Sequence, residues 1–295
     1  MNSSNGFHKS WMTHGSDASY GFGKPWHDSA TVHLRGKTHM TIKKILITGA
    51  AGYLAGFIIE RLRPKYELTL TDRVELPLDR QDLPFVQGDI TTYVDIEGAC
   101  EGQDAVVHLV ALVRERFDKP PWLFADVMVK GTWNVAEACA QQGVKRLVNI
   151  SSISACDPLP DNDLPYCVGD PFQFGQSGLP YALAKYLGEE VGRAYYQAHG
   201  LNVIHLRPGV IAGDGLNPGP TTPKAPKAPW FVYVDPRDVA QAVERALETQ
   251  EVMYGAYNVV AGRCDSRFDW AQTCQDLGYQ PEHNWPEIPD MEGTE

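Results

Sequence analysis

Short apolar segments alternate with longer segments of helical periodicity from residue 42 into the last quarter of the chain. Most of the short segments are apolar at successive positions, which is typical of strands buried on both faces of a parallel sheet. The predicted strands are 42–48, 67–71, 85–87, 105–110, 146–150, 202–206, 231–234 and 257–260. The predicted helices are 57–62, 122–142, 180–199, 236–249 and 268–277.

This alternation of strands and helices predicts an α/β fold with a doubly wound parallel sheet and a small C-terminal region. Residues 1–40 are rich in Gly, Ser, Thr and His and have no apolar periodicity. We expect them to form a flexible, dispensable tail, because nothing in their pattern would dock them on a core. The rhythm of the pattern loosens after residue 207, and prolines and glycines crowd the segment 213–229.

The chain of 295 residues carries a formal net charge of −11 at pH 7. Nucleic acids and anionic membranes repel an acidic surface, so neither partner is expected. No apolar stretch reaches the roughly 18 residues that a membrane span requires. The six cysteines form no CxxC pair, and the N-terminus lacks a basic start followed by an apolar run. These features favour a cytoplasmic protein with a small-molecule substrate.

A glycine-rich turn over 48–56 links the first predicted strand to the first predicted helix. Gly49 permits a tight turn. Gly52 lets a pyrophosphate approach the backbone at a helix N-terminus, where unpaired amides favour anions. Tyr53 and Leu54 follow Gly52 and are also predicted to contact the cofactor.

An acidic residue, Asp72, ends the second predicted strand, twenty residues after Gly52. A carboxylate there can accept hydrogen bonds from the adenosine ribose and repel a 2′-phosphate, which favours NAD over NADP. The neighbouring Arg73 can hold a 2′-phosphate and leaves NADP open. The sequence therefore predicts a Rossmann dinucleotide-binding domain over 41–207. Residues 208–295 are predicted to form a small substrate-binding region interleaved with the sheet.

Tyr181 and Lys185 are four residues apart on a predicted helix and therefore share a face. A tyrosine hydroxyl with its ordinary pKa near 10 is a poor base at neutral pH, and a nearby ammonium lowers that pKa by stabilising the phenolate. Lys185 can also hold the nicotinamide ribose. Ser152 follows the fifth predicted strand, at the sheet edge where ligands bind, and its hydroxyl can hydrogen-bond a reacting oxygen. These three are the predicted catalytic residues.

Seven ordered motifs make the chain resemble the extended short-chain dehydrogenase/reductase family, the NAD-dependent epimerase/dehydratase group, over about 42–260. The motifs are Thr48-Gly49-x-x-Gly52, Gly88-Asp89-Ile90, His108-Leu109-Val110-Ala111, Gly131-Thr132-x-Asn134-Val135, Ser151-Ser152, Tyr181-x-x-x-Lys185 and Leu206-Arg207-Pro208. The resemblance implies that Asp89 and Ile90 lie against the adenine. It also implies that Val110 and Ala111 line the cofactor.

Several positions depart from the family pattern. Ala55 stands where a third glycine is frequent, and Met128 stands where an asparagine is common. The methionine removes a polar group from a helix bend, which puts a proton-relay role there in question. Ile153 and Ser154 occupy the positions at which dehydratases carry an Asp-Glu pair, so elimination of water is not expected.

The compact C-terminal region resembles that of uronate dehydrogenases, which oxidise a sugar acid to a lactone. Arg207 matches a carboxylate-binding arginine, because a guanidinium offers a bidentate fork for an anion. Pairing of Arg207 with a nearby acid is an equally good interpretation. The substrate positions Ile153 and Ser154 replace an Asn-His pair, and Val113 replaces a serine. The pocket is therefore expected to be more apolar than a uronate needs.

The main hypothesis is an NAD-dependent dehydrogenase that removes hydride from a secondary hydroxyl of a small sugar-like or cyclic substrate, neutral or anionic. One alternative is an epimerase of the same family, which oxidises and re-reduces one carbon. The other is a nucleotide-binding regulator without chemistry, which would not need Tyr181, Lys185 and Ser152 together. The resemblance also implies a homodimer formed through 122–142 and 180–199.

Overall fold

The computed structural model describes residues 40–112, 119–156, 179–211, 233–260 and 268–283. The predicted tail up to residue 39, the proline-rich segment 213–229 and Val113 lie outside these ranges. Predictions that concern those residues stay predictions.

A parallel seven-stranded sheet forms the centre of the described structure, in the spatial order β3-β2-β1-β4-β5-β6-β9. The strands are β1 Lys44–Thr48, β2 Glu67–Asp72, β3 Phe85–Gln87, β4 Ala105–His108, β5 Arg146–Ile150, β6 Asn202–Pro208, β7 Val210–Ile211, β8 Tyr233–Val234 and β9 Tyr254–Val259. The short strands β7 and β8 pair with each other. Chain order reverses between β1 and β4, which is the point where doubly wound sheets bind ligands. The predicted fold class is confirmed.

Helices cover both faces of this sheet. They are α1 Tyr53–Leu62, α2 Tyr93–Cys100, α3 Pro121–Phe124, α4 Gly131–Gln142, α5 Leu179–His199, α6 Pro236–Glu248 and α7 Ala271–Leu277. The predicted helix 122–142 corresponds to three successive segments that begin at Pro121: α3, a π-helical segment over Ala125–Lys130, and α4. The sequence pattern does not predict α2, because this short helix contains Gly98 and exposes Val94, so its apolar stripe is weak. No helix in the described ranges is long and apolar enough to cross a membrane.

The apolar strands of the sheet supply two separate cores. Ile45 and Ile47 pack with residues of α1 and α6, whereas the intervening Leu46 packs with residues of α2 and α4. Successive side chains of a strand point to opposite faces of the sheet. A strand that is covered on both sides must therefore be apolar at successive positions. This explains the uninterrupted apolar segments of the sequence.

The C-terminal part of the chain adds to the same layers. Strand β9 pairs with β6, and α6 packs against α1. The C-terminal end of α6 and the turn after it are held by the buried Arg146, whose guanidinium donates to the carbonyls of Ala246, Thr249 and Val252 at 2.6–2.7 Å. A single arginine therefore satisfies carbonyl groups that a helix end leaves unpaired.

Candidate active site

The loops that follow β1 and β4 meet at the carboxyl edge of the sheet. Gly49 has a φ of +74°, and a Cβ atom there would lie 3.1 Å from the amide nitrogen of Val110. A larger residue would be strained in its backbone and would crowd the second loop. The structure therefore brings two predicted cofactor-binding segments, the glycine-rich turn and Val110-Ala111, side by side.

The N-terminus of α1 offers an anion site. Gly52 is its N-cap residue, no described side chain caps it, and its first turn holds no acidic residue. The amide groups of the first turn, which include those of Tyr53 and Leu54, lack partners within a helix by geometry. Uncapped amides with an aligned helix dipole fit a pyrophosphate group.

Asp72 lies at the end of β2, beside the glycine-rich turn. Its carboxylate accepts hydrogen bonds from the amide of Ala51 at 3.0 Å and from the amide of Val74 at 3.2 Å. Asp72 therefore joins the turn to the end of β2, in addition to the predicted contact with ribose. Arg73 next to it is exposed.

The Gly88-Asp89-Ile90 motif packs on the start of α4. A Cβ atom on Gly131 would lie 3.0 Å from the Ile90 side chain, and Asn134 Nδ2 donates to the Ile90 carbonyl at 2.9 Å. Asp89 accepts from the backbone amide and hydroxyl of Thr91, each at 2.8 Å. These hydrogen bonds lower the pKa of Asp89, most of all the backbone one, against a smaller effect of burial. The Gly88-Asp89-Ile90 motif and the Gly131-Thr132-x-Asn134-Val135 motif therefore pack directly against each other.

Helix α5 brings the predicted catalytic residues to the end of β5. Tyr181 is 8% exposed and Lys185 is 6% exposed. The Lys185 Nζ atom lies 6.0 Å from the centroid of the Tyr181 ring and donates to the Ile150 carbonyl at 2.6 Å. Burial lowers the pKa of Lys185 to about 8, although the carboxylate of Glu189 opposes this. The carbonyl of Ile150, the last residue of β5, therefore holds the ammonium beside Tyr181. The serine pair follows directly after Ile150.

The two serines after β5 have different surroundings. Ser152 is 8% exposed, and its Oγ accepts from the amide of Ser154 at 3.1 Å. Ile153 and Ser154, the predicted substrate positions, are half-buried in a 3₁₀ turn that packs against α5. Ser151 is buried, and its hydroxyl donates to Glu189 at 2.5 Å. Ser152 is thus the serine whose O–H can donate to a substrate.

Arg207 is buried and forms a bidentate ion pair with Glu189. Its Nε donates to Oε1 at 2.9 Å and its Nη2 donates to Oε2 at 2.6 Å. Of the two interpretations of Arg207 from the sequence, the structure supports pairing with an acid. Glu189 was identifiable in principle, because it lies four residues after Lys185 and thus on the same helix face.

A buried hydrogen-bonded chain runs behind these residues. Thr132 Oγ1 donates to the Met128 carbonyl at 2.6 Å, so it can only accept from His108 Nε2, 3.2 Å away. His108 Nδ1 then accepts from the hydroxyl of Thr48 at 2.7 Å. Burial lowers the pKa of His108 to about 3, with a smaller contribution from Lys185. A neutral histidine therefore links the end of β1 to the first turn of α4, which follows the π-helical segment.

Met128 lies in that π-helical segment and packs with Tyr181, Phe124 and Ala184. Its side chain is apolar and buried, so it contributes packing and no polar group beside the tyrosine. The carbonyl of Met128 is held by Thr132, as described above. The sequence signals the substitution at this position, but it does not signal the hydrogen bond to the carbonyl.

Several curated proteins are similar to this chain. An L-arabinose 1-dehydrogenase (NAD(P)(+)) from Haloferax volcanii is 28% identical over 82% of this chain and 97% of its own length. A uronate dehydrogenase from Pseudomonas syringae pv. tomato is 26% identical over 79% of this chain and 78% of its own. A UDP-glucose 4-epimerase from Vibrio cholerae is 30% identical over 59% of this chain and 53% of its own.

Solved structures show the same fold. A glucuronic acid dehydrogenase from Chromohalobacter salexigens superposes with a TM-score of 0.69 at 21% identity, over 83% of this chain and 86% of that one. A variant of uronate dehydrogenase from Agrobacterium tumefaciens, complexed with NAD, superposes with a TM-score of 0.68 at 22% identity, over 85% and 93%.

A family model described as the NAD dependent epimerase/dehydratase family matches residues 45–232. That range includes the glycine-rich turn, Asp72, Ser152 and the Tyr181–Lys185 pair. The uncapped α1 and the glycine turn fit the dinucleotide that the family uses. The protein is therefore an NAD-dependent enzyme and belongs to the NAD-dependent epimerase/dehydratase family.

Proposed function

We propose that this enzyme oxidises the secondary hydroxyl of a small cyclic sugar and releases NADH. One observation carries the proposal: the Lys185 ammonium is buried beside the Tyr181 ring and anchored on the Ile150 carbonyl, directly before Ser152. A regulator that only binds nucleotide has no use for a buried lysine charge at that place. Burying such a charge is costly, and enzymes accept that cost at functional sites.

Each of the three side chains has a distinct task. Ser152 donates its hydroxyl hydrogen to the reacting oxygen, since its Oγ accepts from the Ser154 amide. Tyr181 takes the hydroxyl proton of the substrate. Lys185 stabilises the phenolate form of Tyr181, and its pKa of about 8 keeps it largely protonated at neutral pH. NAD, when bound, supplies the hydride acceptor.

The proposed substrate is a neutral aldose, oxidised at its anomeric carbon. One relative that shares nearly its whole length with this chain is named an L-arabinose 1-dehydrogenase, and another is named an NAD-dependent glucose-6-phosphate dehydrogenase. A uronate would need a cation for its carboxylate, but the charge of Arg207 is already balanced by Glu189 in the interior. Ile153 adds an apolar surface in place of a polar one. Both features favour a neutral sugar over a sugar acid.

The test is a screen of NADH formation with aldoses, the corresponding uronates, sugar phosphates and polyols. We expect turnover with at least one aldose, a lactone or aldonate product, and a matched loss in Tyr181→Phe. Turnover with uronates alone would overturn the neutral-sugar assignment. If no hydroxyl compound in the screen led to NADH formation, the proposed dehydrogenase activity would be overturned.

Epimerisation is the second candidate, supported by the similarity to the UDP-glucose 4-epimerase of Vibrio cholerae. This chain spans about half the length of that protein. An epimerase would convert a nucleotide sugar into its epimer with no net change in NADH. Measuring NADH and product stereochemistry in one reaction separates the two activities.

A homodimer through α3, α4 and α5 is also proposed. Four large apolar side chains on these helices are exposed: Trp122, Trp133, Leu179 and Leu187. Sedimentation of the purified protein should give twice the mass of one chain, and Leu187→Glu should shift it toward the monomer. A monomeric wild-type protein at micromolar concentration would contradict the proposal.

A further inference from the structure

An arginine outside every sequence motif contacts the glycine-rich turn. Arg80 ends a 3₁₀ turn, Leu78–Arg80, in the segment between β2 and β3, and it is 7% exposed. Its Nη1 atom donates to the Ala50 carbonyl at 2.7 Å and to the Gly52 carbonyl at 3.1 Å. One guanidinium nitrogen therefore binds two carbonyl groups of the turn.

Holding a carbonyl also fixes the amide next to it. A trans peptide is planar, so its C=O and the N–H that follows point in opposite directions. The Gly52 carbonyl points toward Arg80, and the Tyr53 amide at the start of α1 must therefore point away from it. The Ala50 carbonyl points toward Arg80 as well, and the Ala51 amide donates to Asp72 at 3.0 Å. Arg80 and Asp72 together fix the orientation of both peptides.

Gly56 is the glycine that makes room for this arginine. A Cβ atom on Gly56 would lie 2.9 Å from Nη2 of Arg80. An alanine there could be accommodated only if the guanidinium moved, and movement would lengthen its bonds to Ala50 and Gly52. The contact explains why position 56 is glycine, whereas position 55 is a buried alanine.

The charge of Arg80 is only partly balanced. Among the described residues its ion-pair partner is Asp79, at 3.2–3.3 Å, and the side chain of Asp79 is largely exposed. Solvent screens an exposed partner, so the guanidinium adds a positive potential below the helix N-terminus. That potential has the same sign as the helix dipole there.

We propose that Arg80 is a positioning residue for the cofactor pyrophosphate. It holds the Ala50 and Gly52 carbonyls on the side of the turn that is away from the phosphates, so that the amides at the start of α1 face the phosphates. Arg80 itself acts through the backbone of Gly52 and Tyr53. Its role concerns dinucleotide binding and is independent of the substrate.

The experiment measures ligand binding without turnover. ADP-ribose carries the pyrophosphate and adenosine does not, so calorimetric or NMR dissociation constants for both ligands separate phosphate positioning from general loss of structure. Arg80→Gln should weaken ADP-ribose about tenfold and leave adenosine within a factor of two. Equal weakening of both ligands, or no weakening of ADP-ribose, would overturn the proposal.

Gly56→Ala supplies a second measurement that does not depend on the folding of Arg80→Gln, and where Arg80→Gln folds, the two substitutions form a double-mutant cycle. Gly56→Ala should by itself weaken ADP-ribose several-fold, because it displaces the guanidinium. In the Arg80→Gln background, the same substitution should have little further effect. Full additivity of the two substitutions would contradict a shared contact.

Arg63→Gln is the matched control. Arg63 lies at the end of α1 and is paired with Asp82 on the surface. Its substitution by glutamine removes the same charge as Arg80→Gln but does not affect the glycine-rich turn. It should leave ADP-ribose binding unchanged. A loss as large as that of Arg80→Gln would assign the effect to net charge and would overturn positioning.

Discussion

Glu189 binds the guanidinium of Arg207 through both carboxylate oxygens and accepts a third hydrogen bond, of 2.5 Å, from Ser151. All three residues are buried. Burial opposes ionisation of Glu189, but the charge and hydrogen bonds of Arg207 outweigh it and lower the pKa of that carboxyl. The pair joins α5 to β6 one helical turn after Lys185, and the Glu189 charge also favours protonated Lys185.

Breaking this pair on one side should be costly. Glu189→Gln leaves the Arg207 charge buried without its counterion, and we expect a loss of about 3–5 kcal/mol in the free energy of unfolding. Denaturant unfolding measures it. Glu190→Gln is the control on the same helix, because Glu190 pairs with Arg193 at the surface and should cost less than about 1 kcal/mol. Similar losses for both variants would show that Arg207 finds another partner.

The buried ammonium of Lys185 should make stability depend on alkaline pH. Its pKa is about 8 in the folded protein and about 10.4 in an unfolded chain, so the unfolded chain binds more protons between these values. Stability should therefore rise with pH through that window, as the cost of the buried charge disappears. Because the Tyr181 ring lies beside the ammonium, the comparison is Tyr181→Phe against Tyr181→Phe/Lys185→Met. A pH-independent difference in unfolding free energy would contradict the lowered pKa.

The sequence predicts β5 with its observed bounds, because a strand buried on both faces has a local signature. The bounds of β3 are also those predicted, although all three of its residues are exposed. Strand β9 begins three residues earlier than predicted, at Tyr254, since pairing with β6 extends it through Gly255, a poor strand former. The local sequence of β9 gives no information about its pairing with β6.

The residues of the site likewise fall into those that local sequence predicts and those that it does not. Spacing on a helix predicts that Tyr181 and Lys185 share a face, because only three residues separate them. Arg80 has no such signal, since its partners are backbone carbonyls 28 and 30 positions away and any residue there offers a carbonyl. For Arg207, the sequence offered two interpretations, and only the structure places Glu189 against it.

His108 should make the fold sensitive to acid. Its pKa is lowered to about 3, so between about pH 6.5 and 3 the unfolded chain binds one more proton at this residue. Stability is then lost as pH falls, by up to about 1.4 kcal/mol per pH unit from this group. His108→Gln should lower the slope of unfolding free energy against pH by nearly one proton. An unchanged slope would mean that His108 is protonated in the folded state.

His205 provides a comparison for that measurement. Burial lowers the pKa of His205 to about 4, and it lies beside Asn149 rather than in the Thr48–Thr132 chain. His205→Gln should lower the slope by a similar amount. In the double variant, the two contributions should add, because the two histidines do not share a hydrogen bond.

Substitutions of the three proposed catalytic residues should separate proton transfer from cofactor binding. Tyr181→Phe removes the phenol but keeps the ring that packs on Met128, so we expect turnover to fall about 10²–10⁴-fold with NAD affinity nearly unchanged. Lys185→Met should lose turnover and also weaken NAD binding, since the ammonium is proposed to stabilise the phenolate and to hold the nicotinamide ribose. Ser152→Ala should be milder, because the serine polarises the substrate oxygen and transfers no proton. Steady-state rates on the aldose from the screen, with NAD dissociation constants, test the order. Near-normal turnover of Tyr181→Phe would assign the proton to another group.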